Sequence, residues 1–171
     1  ADHTHTEIQG WLRELGTAVG FGVWIASNDR SRAYGNGRLG DGCLADLPKE
    51  IAQLPAADTI RLIDVLWISA ETGQVAAAFE VEHSTSIYSG IVRMLDLALG
   101  VPDHLASTYF LVAPDEREND VRAQFHRPAF SRVNELNLRF LAYSQLRTNR
   151  EAIARFGQGL KPIEAISQSL C

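Results

Sequence analysis

Between Thr4 and Val19 apolar residues recur at helical spacing, with Ile8, Trp11, Leu12, Leu15 and Val19 on one stripe. Thr4 or Thr6 can cap this helix, and Gly20 ends it. FGVWIAS (21–27) reads as a buried strand, and the polar, glycine-rich NDRSRAYGNGRLGDG (28–42) reads as a loop. A short helical turn follows near Leu47 to Leu54. The alternating TIRLIDVLWIS (59–69) and VAAAFEVEHS (75–84) predict two strands joined by a hairpin turn at ETGQ (71–74). SIYSGIVRMLDLALG (86–100) is an amphipathic helix stopped by Gly100 and Pro102. TYFLVAP (108–114) suits an inner strand. A helix begins in the charged stretch 115–120 and runs through Val121 to Phe125. A last strand, LRFLAYS (138–144), leads into a basic helix near 145–157. The order α-β-β-β-α-β-α-β-α predicts an α/β fold, a mixed sheet flanked by helices.

The 171 residues predict one domain, with a core over about 4–114 and a basic extension over about 115–171. Hydrophobic residues at 46% and charged residues at 22% exclude a disordered chain. No apolar run approaches the ~20 residues that span a bilayer, so no membrane partner is expected. Ala1 comes first and Met94 is the only Met, so the chain reads as processed or as a domain excised from a longer protein. Cys43 and Cys171 share no metal-binding spacing and form no disulfide framework, which suits a reducing, cytoplasmic setting.

Charge changes the picture further. A net charge of −5 counts against a protein that coats nucleic acid without specificity. The charge is uneven, with −8 over residues 1–115 and +3 over 116–171. Of 16 basic residues 14 are Arg, which suits bidentate phosphate contacts, though a high-GC genome is the simpler source of the bias. Arg127, Arg132, Arg139, Arg147, Arg150 and Arg155 would line a phosphate track.

Asp64 interrupts an apolar strand, where alternation places it beside Leu62 and Leu66. Glu80 and Glu82 lie two apart on the next strand, hence on one face. Ala76 and Ala78 share that face, so the carboxylates extend an apolar surface; the other reading is the solvated side of a half-exposed strand. Three carboxylates converging through a hairpin on a buried face repel one another and lose hydration, at a cost of several kcal/mol unless a cation neutralises them. Hard oxygen donors suit Mg²⁺ or Mn²⁺.

Asp64, a hairpin and then Glu80-Val81-Glu82 resemble the PD-(D/E)XK, restriction-endonuclease-like nucleases. In that superfamily an acidic residue on one strand precedes (D/E)-x-K on the next. The resemblance implies the αβββαβ core, here with a C-terminal helical and strand extension, and an Mg²⁺-dependent DNA endonuclease. IDVLWI followed by AAFEVEHSTSIYSGIVRMLDL is similar to a bacterial group of such domains related to restriction enzymes. Glu82 departs from the pattern, because it stands where the family usually has Lys. Some restriction endonucleases carry Glu there, and it would then ligate a second metal or deprotonate the attacking water. Glu7 on the first helix is a fourth candidate, since in some members a Glu there reaches the metals; a solvated helix residue is the alternative.

Ser84, Thr85, Ser86 and Tyr88 lead into the following helix. Thr85 or Ser86 caps it, or these hydroxyls and the helix-start amides contact a DNA phosphate beside the metals, or both. Arg30 and Arg32 belong to an Asx-type turn or meet the DNA backbone. His3 and His5 are expected to be solvent-exposed at a frayed start, and His83 points to the strand face opposite Glu82. The functional expectation is a restriction-type or DNA-defence endonuclease, with residues 86–100 able to serve as a homodimer helix. The alternative is a catalytically inactive module of the same fold that binds DNA or another protein. A glycosidase, which also uses paired carboxylates, lacks the aromatic cluster that stacks sugars.

Overall fold

The Thr4 hydroxyl accepts the Glu7 amide at 3.0 Å and starts α1 (His5–Ala18). The computed structural model in which this is seen describes residues 4–82, 87–101, 107–130 and 136–170. Gly20, with φ of 106°, stops the helix. The Phe21 amide reaches the Gly16 carbonyl at 2.8 Å, and the Gly20 amide reaches that of Thr17 at 3.2 Å. This is a Schellman closure, which a left-handed glycine makes without Cβ strain.

The remaining elements are β1 (Gly22–Ile25), a small hairpin of β2 (Ala33–Tyr34) and β3 (Gly37–Arg38), α2 (Lys49–Ala52), α3 (Ala57–Ile60), β4 (Val65–Ile68), β5 (Val75–Val81), α4 (Ile87–Gly100), β6 (Thr108–Ala113), α5 (Glu118–Phe125), β7 (Asn137–Ala142), α6 (Tyr143–Phe156), α7 (Lys161–Ala165) and β8 (Gln168–Ser169). Six strands form one mixed sheet in the order β1-β4-β5-β6-β7-β8. The β5–β6 and β6–β7 pairs are parallel and the other three antiparallel. The architecture is mixed α/β with helices on both faces, compatible with a restriction-endonuclease-like fold. Strands β7 and β8 continue the same sheet, so the basic C-terminal third is built onto the core.

Period-two alternation divides the core. One face carries Val65, Trp67, Ala77, Phe79, Val81, Phe110 and Val112 against Ile8, Leu12 and Leu15 of α1 and Leu146 and Ile153 of α6. The other carries Leu66, Ala78, Leu111 and Phe140 against Ile87, Ile91, Met94 and Leu97 of α4. Each such side chain, fully buried, contributes roughly 1.5–3 kcal/mol. Trp67 anchors the first face. Its indole N–H donates to the Leu12 carbonyl at 3.0 Å, and its ring meets Phe79 at 4.6 Å. Helix α4 buries its apolar stripe on its own sheet.

The strand expected over 59–69 is shorter, and this moves Asp64. Residues 57–60 are helical, with the Ile60 and Arg61 amides bonded four residues back to Ala56 and Ala57 at 3.0 and 2.9 Å. Leu62 then lies in a turn, 43% exposed. Asp64 therefore sits just before β4, at the mouth of the strand. The β4–β5 register shifts between Trp67 and Ile68, passing Ala76. The 28–42 segment is less loop-like than its composition, for it contains the β2–β3 hairpin and the fully buried Leu39. Among the described residues no helix is long and apolar enough to cross a membrane.

Candidate active site

Parallel pairing of β5 with β6, and of β6 with β7, brings the carboxyl ends of three strands to one edge, where open α/β sheets form their ligand crevices. Glu80 is the penultimate residue of β5, and Glu82 follows its last residue, with its amide bonded to the Val112 carbonyl at 2.8 Å. Asp64 meets them from the mouth of β4, where its Oδ2 accepts the Val81 amide at 2.7 Å. Their exposures of 7% (Asp64), 0% (Glu80) and 7% (Glu82) show that no solvated strand face is involved.

Helix α4 supplies the cation that the sequence did not reveal. Arg93 Nε donates to Glu80 Oε2 at 2.8 Å and its Nη2 to Oε1 at 3.0 Å. Arg93 comes one turn after Gly90, and three-residue spacing places both on the side facing β5. A Cβ at Gly90 would lie 2.6 Å from Glu82 Oε1 and 3.0 Å from Glu80 Cβ. Only glycine lets the helix approach this closely. Gly90→Val is expected to destabilise the protein by about 1–3 kcal/mol through overpacking, and a thermal melt against wild type checks it.

The electrostatics follow from burial. Desolvation and the Asp64 charge push the Glu80 carboxyl well above its ordinary range, and the Arg93 guanidinium pulls against them. Desolvation and Asp64 also push Glu82 up to about 8, opposed by Arg93, His5 and Arg117. The folded state thus holds a proton that the unfolded chain has released. Stability from this proton is fully present below the ordinary value of 4.5 and is lost as pH rises towards 8. In EDTA the melting temperature is expected to fall between pH 5 and pH 8.5, and a rise across that interval would contradict the assignment.

Asp64 also faces α1. His5 Nε2 lies 3.2 Å from Asp64 Oδ2, and Gln9 Nε2 donates to the Asp64 carbonyl at 3.2 Å and to Asp29 Oδ2 at 3.1 Å. Burial lowers the His5 pKa, but the hydrogen bond to Asp64 and the charges of Asp64 and Asp29 outweigh it and raise it overall. His5 is therefore a half-buried partner of Asp64, and the expectation of a frayed, exposed His5 is corrected. Residues 5 and 9 share a helix face. Glu7, two residues from each along α1, falls by its spacing on a different side of the helix. Tyr143, at the start of α6, is buried, and desolvation and then the charges of Glu82 and Asp64 push its hydroxyl up.

Other expected residues are placed less centrally. Arg30 stacks over Trp24 at 4.7 Å, and Arg32 pairs with Asp29 at 2.9 Å. Ser84, Thr85 and Ser86, with His3 and His83, lie outside the described residues. Tyr88 is 46% exposed and tilts against Phe130 at 5.2 Å. With Arg117, Asp120, Gln124 and Arg127 it lines a cleft of about 280 Å³. Arg117 connects this cleft to Glu82 electrostatically. Several arginines of the expected phosphate track are engaged within the chain. Arg139 holds Ser167, and Arg150 pairs with Glu14 at 3.6 Å and lies over Trp11. Arg132 is outside the described residues.

The chain belongs to a family of restriction-enzyme domains: the family model described as the type II restriction enzyme NmeDI C-terminal domain matches residues 1–162. Among curated proteins, the type II restriction enzyme NmeDI of Neisseria meningitidis serogroup C is 31% identical, over 83% of this chain and 42% of the relative. The chain thus spans about two fifths of the length of that relative. No solved structure matches it.

Proposed function

We propose that this chain is one nuclease-like domain of a larger restriction-type protein and that it hydrolyses DNA phosphodiester bonds with a divalent cation, Mg²⁺ or Mn²⁺, in the PD-(D/E)XK manner. The observation that carries this reading is the convergence of Asp64, Glu80 and Glu82, all nearly or wholly buried, at one sheet edge. Arg93 balances one of these charges and His5 contacts another, so the group retains an excess of acid. Carboxylate oxygens of this kind suit a divalent cation, although among the described residues the three donors within 4.8 Å of one another are those of His5, Asp29 and Asp64.

Asp64 and Glu82 would hold the ion. Glu80 would join them if Arg93 yields one of its oxygens. When bound, the ion supplies charge stabilisation at the phosphoryl oxygens and lowers the pKa of a bound water. The Val81 amide fixes Asp64, and Arg93 fixes Glu80. Glu82 accepts the proton of the attacking water. Tyr88 and Arg127, both exposed at the cleft, grip the DNA beside the scissile phosphate, with Arg30 and Arg32 as further backbone contacts.

A non-catalytic DNA-binding module of the same fold is the second reading. It is favoured by the occupation of both Glu80 oxygens by Arg93 and by Glu82 at the position of the motif Lys. Incubation of the full protein with duplex DNA separates the two. The nuclease reading expects cleavage with Mg²⁺ or Mn²⁺ and none with EDTA. DNA binding without cleavage in either metal selects the module.

A further inference from the structure

The group on the α1 side of Asp64 has a composition different from the one facing α4. One donor atom each from His5, Asp29 and Asp64 lies within 4.8 Å of the other two. An ion with ligand distances of about 2.0–2.2 Å bridges donors up to roughly 4.4 Å apart, so small side-chain adjustments suffice. The carboxylates are held from behind, Asp64 by the Val81 amide and Asp29 by Arg32 Nε at 2.9 Å. Metal ligands are commonly oriented by such outer hydrogen bonds.

Gln9 provides the independent observation. Its side chain is fully buried, and both bonds from its Nε2 run into this group. Its Oε1 lies towards His5 yet makes no hydrogen bond of acceptable geometry among the described residues. A buried carbonyl oxygen without a partner is rare in a folded protein and calls for a ligand. The His5 side chain, 35% exposed, leaves a path from solvent.

We propose that His5, Gln9, Asp29 and Asp64 form a transition-metal site, selective for Co²⁺ or Zn²⁺ over Mg²⁺. The imidazole sets this preference. Nitrogen donors favour the later divalent metals, whereas carboxylates and water alone suit Mg²⁺. The ion is held by His5 nitrogen, the Gln9 carbonyl oxygen and one oxygen each from Asp29 and Asp64. Asp64 thereby stands between this site and the carboxylates facing α4. The inference concerns metal binding alone and does not rest on the nuclease reading.

Calorimetric titration of the full protein with CoCl₂ and, separately, MgCl₂, without DNA, tests it. His5→Ala is expected to weaken Co²⁺ binding at least about tenfold and leave Mg²⁺ binding unchanged, while Glu82→Gln keeps the His5-dependent Co²⁺ site. Gln9→Glu keeps the shape and adds a carboxylate, so it should tighten Co²⁺ binding and enlarge the rise in melting temperature that Co²⁺ produces. Circular dichroism verifies the fold of each variant. Equal Co²⁺ binding by wild type and His5→Ala overturns the proposal, and so does Co²⁺ binding that Gln9→Glu fails to tighten. Loss of DNA cleavage with an intact His5-dependent Co²⁺ signal would count against the nuclease reading and not against this site.

Discussion

Asp64→Asn is expected to leave the protein folded and to reduce DNA cleavage by on the order of 10³-fold, equivalent to about 4 kcal/mol of lost transition-state stabilisation. The fold survives because the Asn carbonyl oxygen still accepts the Val81 amide, as Asp64 Oδ2 does at 2.7 Å. Activity falls because the amide brings no negative charge to the ion, and affinity for a hard divalent cation depends on the ligand charge count. Stability moves the other way. Asp64 is the second cause, after burial, that raises both Glu80 and Glu82, so its neutralisation lets both carboxyls fall back towards their ordinary range. Metal-free Asp64→Asn should melt above wild type at pH 8, the trade of stability against activity that strained sites show. Cleavage of supercoiled plasmid and thermal melts in EDTA read the two effects. An Asp64→Asn protein that cuts at the wild-type rate removes Asp64 from the site.

Arg93→Met is expected to destabilise the protein by about 3 kcal/mol, since removing one partner strands a buried charge. The value sits at the low end for buried pairs because Arg93 is 25% exposed, while Glu80 is fully buried. Arg93→Met together with Glu80→Met should recover most of the loss, because both buried polar groups leave as a pair. Urea unfolding of wild type, both single variants and the double variant gives the coupling as a double-mutant cycle. A loss below about 1 kcal/mol for Arg93→Met would show that Glu80 does not depend on it.

Much of this arrangement is legible in the residues themselves. The cap at Thr4, the stop at Gly20 and the two-residue spacing of Glu80 and Glu82 depend on neighbours a few positions away, and the structure keeps all three. The hairpin over 71–74 is also kept, closed by the Ser69 amide on the Gln74 carbonyl at 2.9 Å. Residues 59–64 misled because Ile60 and Leu62 alternate as a strand would, while bonds from Ile60 and Arg61 back to Ala56 and Ala57 wind them into a turn. Ion pairs from Arg61 to Asp46 and Asp58 hold that turn in place. Arg93 and His5 were hidden for a different reason. Each lies far in sequence from its acidic partner, and only the packing of α4 and α1 on opposite faces brings them there. The spacing of Gly90 and Arg93, one helical turn apart after an acidic strand, is the signal that could have pointed to Arg93. For His5 the corresponding signal is Gln9 four residues on, a polar pair ahead of the apolar stripe.

Glu82 carries the central claim most directly, because it stands where the resemblance expects Lys and receives the proton in the reaction proposed. The decisive measurement is single-turnover cleavage of a plasmid by saturating protein in Mg²⁺, comparing wild type with Glu82→Gln. Wild type is expected to cut, and Glu82→Gln to be slower by roughly 10²–10⁴-fold while still binding DNA. Glu82→Gln cutting as fast as wild type would contradict the claim.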